Sequence, residues 1–379
     1  MALRAIKSSI LTLGLMVSVA VPAASNNSDH ADCKALPGIT PICGMQAPED
    51  LELGPWGKTL VMSEFGGFGR DAAGGLAVFD LASEQVRQVY PAGVSADKSW
   101  GADNCPGELG SRLSPHGIHL SKRANGDWQV LLVNHGQRES IEFFQLYGNE
   151  QEGVTGLSWR GCVVMPAGAF ANDVVGLADG SFISTQMMTK GDKQSQLAAH
   201  TGKDSGHLWY WQPDAEVSIL ADKKLPFPNG IQISADRQFL FINMYSLGEV
   251  RKLDRRTGEL VASAKIPGPD NSTWAQDGRL MVASQTGSFD YSKGECISVT
   301  AGFCPMAFQV VALDPQTMAT EILFSHQGAP MGGGTAAIKL DDILYIGSFS
   351  GDRLLKVELD KTELNQTKLK NTAVNKTEK

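Results

Sequence analysis

The chain reads as all-β, a six-bladed β-propeller with about four strands in each blade, and three observations carry that reading. A turn followed by an apolar strand recurs six times in the 379 residues, as "GPWGKTLVMSE", "RANGDWQVLLVN", "LADGSFISTQ", "SADRQFLFIN", "AQDGRLMVAS" and "KLDDILYIGS". A second strand follows each copy: "GGLAVFDL", "SIEFFQLY", "GHLWYWQP", "GEVRKLDRR", "AFQVVALDP" and "DRLLKVELD". Period-two alternation with β-branched and aromatic residues marks these as strands, not helices. Radial repetition of small sheets is the arrangement that leaves only short, protected edges.

The elements follow in chain order. Arg4 and Lys7 precede an apolar run, Ile10 to Val21, ending in "VPAAS" with small residues where a signal peptidase cuts. Residues 1–24 therefore read as an export signal. That run falls short of the roughly 20 apolar residues a bilayer span needs, and no later segment approaches it. A periplasmic or secreted protein with no transmembrane segment after cleavage is expected. Residues 25–362 form the propeller and 363–379 a polar, Lys-rich tail without a strand pattern. A third strand follows most repeats, as in "QVRQVYP" and "TEILFSH", and a short apolar segment precedes each turn. The sixth unit lacks an outer strand, so the segment before Glu49 is expected to supply it and close the ring.

All six cysteines lie beyond the signal, which favours disulfides. Of the fifteen possible pairings, short separations favour Cys33 with Cys43 and Cys296 with Cys304, leaving Cys105 with Cys162. A net charge of −8 argues against the basic face that nucleic acid requires. No G-x-S-x-G elbow, H-E-x-x-H helix or phosphate-binding Gly-rich loop is present.

Residues just ahead of each innermost strand share one register. They are Glu49-Asp50 in "APEDLE", His116 in "SPHGI", Asn172-Asp173 in "FANDVV", Asn229 in "FPNGI", Asp270-Asn271 in "GPDNSTW", and the small residues of "MGGGTAAI". A single Asn or Asp at a turn is ordinary turn chemistry, but turn chemistry gives no reason for five units to aim oxygen or nitrogen ligands at one axis. Hard oxygen donors without cysteine select Ca²⁺ or Mg²⁺ over zinc. Glu49, Asn172, Asn229, Asp270 and Asn271 supply five such side chains. In the second unit Asn125-Gly126 predicts a two-residue hairpin turn whose register sets His116 opposite His135. His119, three residues along from His116, points to the other face of its strand.

Taken in order, "EDLE", "PHGI", "LVNH", "FANDVV", "FPNGI" and the following "DN" resemble the paraoxonase/arylesterase family of calcium-dependent six-bladed propeller lactonases, over nearly the whole mature chain. More broadly the chain is similar to the gluconolactonase and strictosidine-synthase-like superfamily. The resemblance implies a catalytic Ca²⁺ held by Glu49, Asn172, Asn229, Asp270 and Asn271. It implies a second, structural Ca²⁺ at Asp50, Asp173 and the Ile118 carbonyl, and places Phe227 in the wall of the substrate pocket. Two departures stand out. Gln186-Met187-Met188 replaces an Asp-His pair of the family, and no cysteine follows Cys304 to make the family's long-range disulfide.

The function expected is hydrolysis of a lactone or aryl ester, with calcium polarising the carbonyl and a His116–His135 dyad activating water. Activation by Asp270 or Glu49 remains open at this level. So do a sugar-lactone substrate and a non-catalytic binding propeller with structural calcium.

Overall fold

Each turn signal sits between two strands that pair antiparallel, so every repeat closes into a sheet of its own. The computed structural model describes residues 33–67, 73–91, 97–287 and 296–360, and the signal and tail expected from the sequence lie outside the described residues. Strands β1 to β24, in chain order, form six four-stranded sheets in a ring. The innermost strands of blades one to six are β2 (Pro48–Leu53), β6 (Pro115–Lys122), β10 (Ala171–Gly176), β14 (Pro228–Ile233), β18 (Pro269–Trp274) and β22 (Gly334–Leu340). Blade six is completed by β1 (Ile39–Cys43), which lies antiparallel on β24 (Arg353–Glu358) with Ile39 opposite Val357. The segment before Glu49 thus closes the ring, as its missing outer strand requires.

The core is distributed between blades. Val130 and Leu132 pack with Val61 and Leu76 of blade one, whereas Leu131 and Val133 pack with Val174 and Phe182 of blade three. Successive side chains point to opposite faces of a strand, and here both faces are buried. That is why "VLLV" is continuously apolar.

Side chains of the innermost strands also join neighbouring blades all the way round. Asp50 and Glu52 accept from the backbone N–H of Ile118 and Leu120, His119 from Gly176, and Asp173 from Ile231. Gln232 donates to Ser272, Thr273 to Ala337 and Thr335 to Glu49, each at the carbonyl.

All six innermost strands carry a register shift at their first residues, between Pro48 and Asp50, Pro115 and Ile118, Ala171 and Val174, Pro228 and Ile231, Pro269 and Ser272, and Gly334 and Ala337. Such a bulge sets two residues against one, bends the strand and re-aims side chains. The sequence placed the candidate residues ahead of the strands; they lie within them, in the bulges. At the second bulge position, blades one, three and five carry Asp50, Asp173 and Asn271, and blades two, four and six carry Gly117, Gly230 and Ala336. The alternation makes room: a Cβ on Gly117 would sit 2.5 Å from Asp173 Oδ1, and one on Gly230 would sit 2.4 Å from the Asp270 carbonyl.

The hairpin of blade two corrects one expectation. Arg123 N–H bonds to the Asp127 carbonyl and Gly126 has φ 96°, so the loop has three residues, Ala124 to Gly126. Ile118 then pairs with Leu132, and the bulge sets Pro115 opposite Asn134. His135 stands just past the end of the strand Trp128–Asn134 rather than in register with His116. Disulfides join Cys33 to Cys43, Cys105 to Cys162 and Cys296 to Cys304.

Candidate active site

The first bulge position of each blade turns to a cavity of about 480 Å³ at one mouth of the axis, where Glu49, His116, Asn172, Asn229, Asp270 and Thr335 meet. One residue arrives from every blade. Asn271 stands behind Glu49 and donates from its Nδ2 to Glu49 Oε1 at 2.8 Å.

Four oxygens at this mouth, Glu49 Oε2, Asn172 Oδ1, Asn229 Oδ1 and Asn271 Oδ1, are buried without a hydrogen-bond partner. Leaving a buried acceptor unpaired costs about 1–3 kcal/mol, so four converging from four blades require a reason. Their own amide groups show how they are aimed. Asn172 Nδ2 donates to Met187 Sδ at 3.3 Å, the Asn229 amide bonds Asp270, and Gln285 Nε2 donates to Asp270 Oδ2 at 2.6 Å. Tyr245 OH holds Gln285 in turn, at 2.6 Å from its Oε1. The amide donors are thereby spent on protein, and the oxygens face inward.

A hard divalent cation fits this set. The donors are all oxygens, two carboxylates and three amides, which is the ligand chemistry of Ca²⁺ with its six to eight oxygens. The set contains no thiolate or imidazole, the donors that softer transition metals favour. Charge points the same way. Burial, followed by the charges of Asp50 and Asp270, holds the Glu49 carboxyl well above its ordinary range. Burial pushes Asp270 up to about 8 despite its bonds from Asn229 and Gln285. A cation would relieve that repulsion.

The two histidines meet in spite of the shifted register. His116 Nδ1 lies 3.0 Å from His135 Nε2, and His116 Nε2 lies 3.6 Å from Glu49 Oε1. Burial, reinforced by the neighbouring His135, holds His116 well below the usual histidine range. The chain of contacts continues outward: His135 Nδ1 lies 3.0 Å from Glu139 Oε2, and Glu139 Oε1 accepts the Ala171 N–H. His119 turns away from the pair, toward blade three.

Deeper in the tunnel, Asp50 and Asp173 are differently placed. Asp50 Oδ1 and Oδ2 accept from Leu51 and Ile118 N–H, and Asp173 Oδ1 and Oδ2 from Val174 and Ile231 N–H. Ile118 thus ties blade two to Asp50 through its N–H, a group separate from the carbonyl that the resemblance implies as a ligand. Burial raises Asp50 to about 7, and burial with the charge of Asp50 raises Asp173.

The cavity walls are apolar, including Phe65, Phe170, Met187, Met188, Phe227 and Phe349. Phe227 holds φ 47°, a left-handed conformation rare for a bulky residue. Its N–H donates to Ser205 Oγ and its carbonyl accepts from Tyr245 N–H. Sequence reasoning missed Glu139, Met187 as a partner of Asn172, and the Tyr245–Gln285 pair. Only the i, i+4 spacing of His135 and Glu139 offered a signal, and in extended chain that spacing carries little.

With this geometry in hand, the class is defined: a six-bladed propeller with an oxygen-lined candidate cation site at one mouth. No protein-family model matches the chain. It is 29% identical over 119 residues to Protein STRICTOSIDINE SYNTHASE-LIKE 13 of Arabidopsis thaliana, a match spanning 30% of this chain and 30% of that protein. Its fold is similar to that of a gluconolactonase from Xanthomonas campestris, with a TM-score of 0.50, 18% identity, and coverage of 87% of this chain and 92% of that one. A calcium-binding protein, regucalcin, from Agrobacterium tumefaciens aligns with a TM-score of 0.46 and 14% identity over 83% of this chain and 91% of its own.

Proposed function

We propose that this protein is an exported, Ca²⁺-dependent hydrolase of lactones and aryl esters. The observation that carries the reading is that three unpartnered buried oxygens, Glu49 Oε2, Asn172 Oδ1 and Asn229 Oδ1, belong to residues lining one cavity with His116, while a fourth, Asn271 Oδ1, stands behind Glu49. Glu49, Asn172, Asn229, Asp270 and Asn271 would hold the cation. When bound, Ca²⁺ polarises the scissile carbonyl and offsets the charge that develops on its oxygen. A second cation at Asp50, Asp173 and the Ile118 carbonyl would serve structure alone, because the two carboxylates already hold backbone N–H groups of their own and the next blade.

The chain's own residues do the rest. His116, kept neutral by burial, accepts the proton of the attacking water at Nε2, the nitrogen on the Glu49 side. Its Nδ1 contact with His135 orients the ring. Phe65, Phe170, Met188, Phe227 and Phe349 exclude bulk water and hold the acyl or aryl part of the substrate. These walls favour lactones with hydrocarbon substituents over polyhydroxylated ones. Three disulfides support an oxidising compartment, and no helix among the described residues is long and apolar enough to cross a membrane.

A panel of aliphatic lactones, homoserine lactones, aldonolactones and phenyl acetate, with Ca²⁺ or with EGTA, tests the reading. Turnover of the apolar members that disappears in EGTA is expected. Undiminished turnover in EGTA removes the calcium part, preference for aldonolactones reverses the substrate class, and hydrolysis of none leaves a binding propeller.

A further inference from the structure

The dyad does not end at His135. Glu139 Oε2 lies 3.0 Å from His135 Nδ1, and the His135 ring is fully buried. A carboxylate there accepts, so His135 must carry its proton on Nδ1. Its Nε2 is then the acceptor, and His116, 3.0 Å away, must donate from its own Nδ1. That leaves His116 Nε2, on the cavity side beside Glu49, as the basic nitrogen. One carboxylate outside the cavity thus settles the proton order through two rings. We propose that Glu139 is a positioning residue that sets the tautomer of both histidines, so that His116 faces substrate as a base. Its catalytic consequence rests on the hydrolase reading; the tautomer assignment does not.

During turnover the proton removed from water goes to His116 Nε2, the Nδ1 proton of His116 passes to His135 Nε2, and the His135 cation faces the Glu139 carboxylate. No bond to Glu139 forms or breaks.

The second oxygen of Glu139 makes the test decisive. Glu139 Oε1 accepts the Ala171 N–H, which can only be met by an acceptor. In Glu139→Gln the amide oxygen must take that place, so the NH₂ is turned toward His135 Nδ1. Both rings should then reverse, with protons on Nε2, and His116 would offer the substrate a donor. The Ala171 bond is kept, so the fold should survive; a thermal melt verifies this.

Calcium-loaded protein with ¹⁵N-labelled histidine is observed by long-range ¹H–¹⁵N correlation, with the rings assigned from His116→Gln and His135→Gln. The expected result is Nδ1–H on both rings in the unmodified chain and Nε2–H on both in Glu139→Gln. In parallel, kcat for a lactone should fall by about 10²- to 10⁴-fold, the usual worth of a positioned base, with KM unchanged. Rings that stay Nδ1–H in Glu139→Gln overturn the proposal, as does reversal of both rings with kcat intact. If the unmodified chain hydrolyses nothing, the hydrolase reading falls, while the ring spectra still decide what Glu139 does.

Discussion

Two layers of one tunnel, a residue apart in the chain, use similar side chains in opposite ways. At the mouth, Glu49, Asn172, Asn229 and Asn271 each leave a buried oxygen without a partner. Just behind, Asp50 and Asp173 give both oxygens to backbone N–H groups, one on the next blade. The deeper layer fastens blades, and the mouth keeps its oxygens for something else. Position in the bulge accounts for most of the difference: Glu49, Asn172 and Asn229 hold the first place and Asp50 and Asp173 the second, whereas Asn271, also in second place, spends its amide on Glu49 and leaves its oxygen unpaired.

The comparison breaks most sharply at the mouth. Asp270→Ala or Asn172→Ala should lower lactone turnover by at least about 10²-fold, the scale on which removing one group that stabilises developing charge is felt. Calcium affinity measured by titration calorimetry should fall by more than the 10- to 100-fold typical of losing a group that only supports a ligand. Full activity in Asp270→Ala would sink the cation assignment.

The deeper layer should fail by packing. Gly117→Val places a Cβ 2.5 Å from Asp173 Oδ1 and 2.6 Å from its Cα, so backbone must move. Overpacking of this kind costs about 1–3 kcal/mol and sometimes more, seen as a lower urea midpoint. An unchanged midpoint would mean that the alternation of Asp and Gly around the ring is not steric.

The pH dependence of stability is one property the two layers share. Asp50 and Asp270 are raised to about 7 and about 8, so without metal the folded state holds their protons more tightly than the unfolded chain, whose Asp groups titrate near 4. That stabilisation is present below about pH 4 and is lost as pH rises through 7 to 8. If calcium is held at the mouth as proposed, it replaces protons there, so melting temperatures with calcium and with EGTA should diverge as pH rises over that window. Parallel curves would contradict this. His119 acts in the other direction: burial lowers it to about 4, so its share is lost as pH falls from about 6.5 through 4, with or without calcium.

The smallest effect belongs to the inter-blade bonds remote from the cavity. Thr273→Val removes the hydroxyl that donates to the Ala337 carbonyl while keeping shape. A loss of about 1 kcal/mol in stability is expected, with kcat and KM unchanged. A drop in kcat would show that the mouth depends on the whole ring and not only on its own bulges.

Much of this was legible in the residues. The strands announced themselves because each is short, apolar and bounded by turns, and the missing outer strand of blade six pointed to the segment that supplies it. Glu49, His116, Asn172, Asn229 and Asp270 were legible because equivalent positions recur. The hairpin register was not, since a three-residue loop and a bulge each shift it by one, and neither leaves a mark as plain as Asn125-Gly126 does. Glu139 was hidden for a related reason: it reaches His135 only because the chain turns sharply after Asn134.

By itself, then, the amino-acid order determined how many blades there are and what kind of atoms each brings to the axis, because periodicity and residue chemistry are local properties. Tertiary structure alone decided which of those atoms are already paired. Partners at the axis come from other blades, as Asn271 and Glu49 do across 222 residues, and only the closed ring brings them within hydrogen-bonding distance.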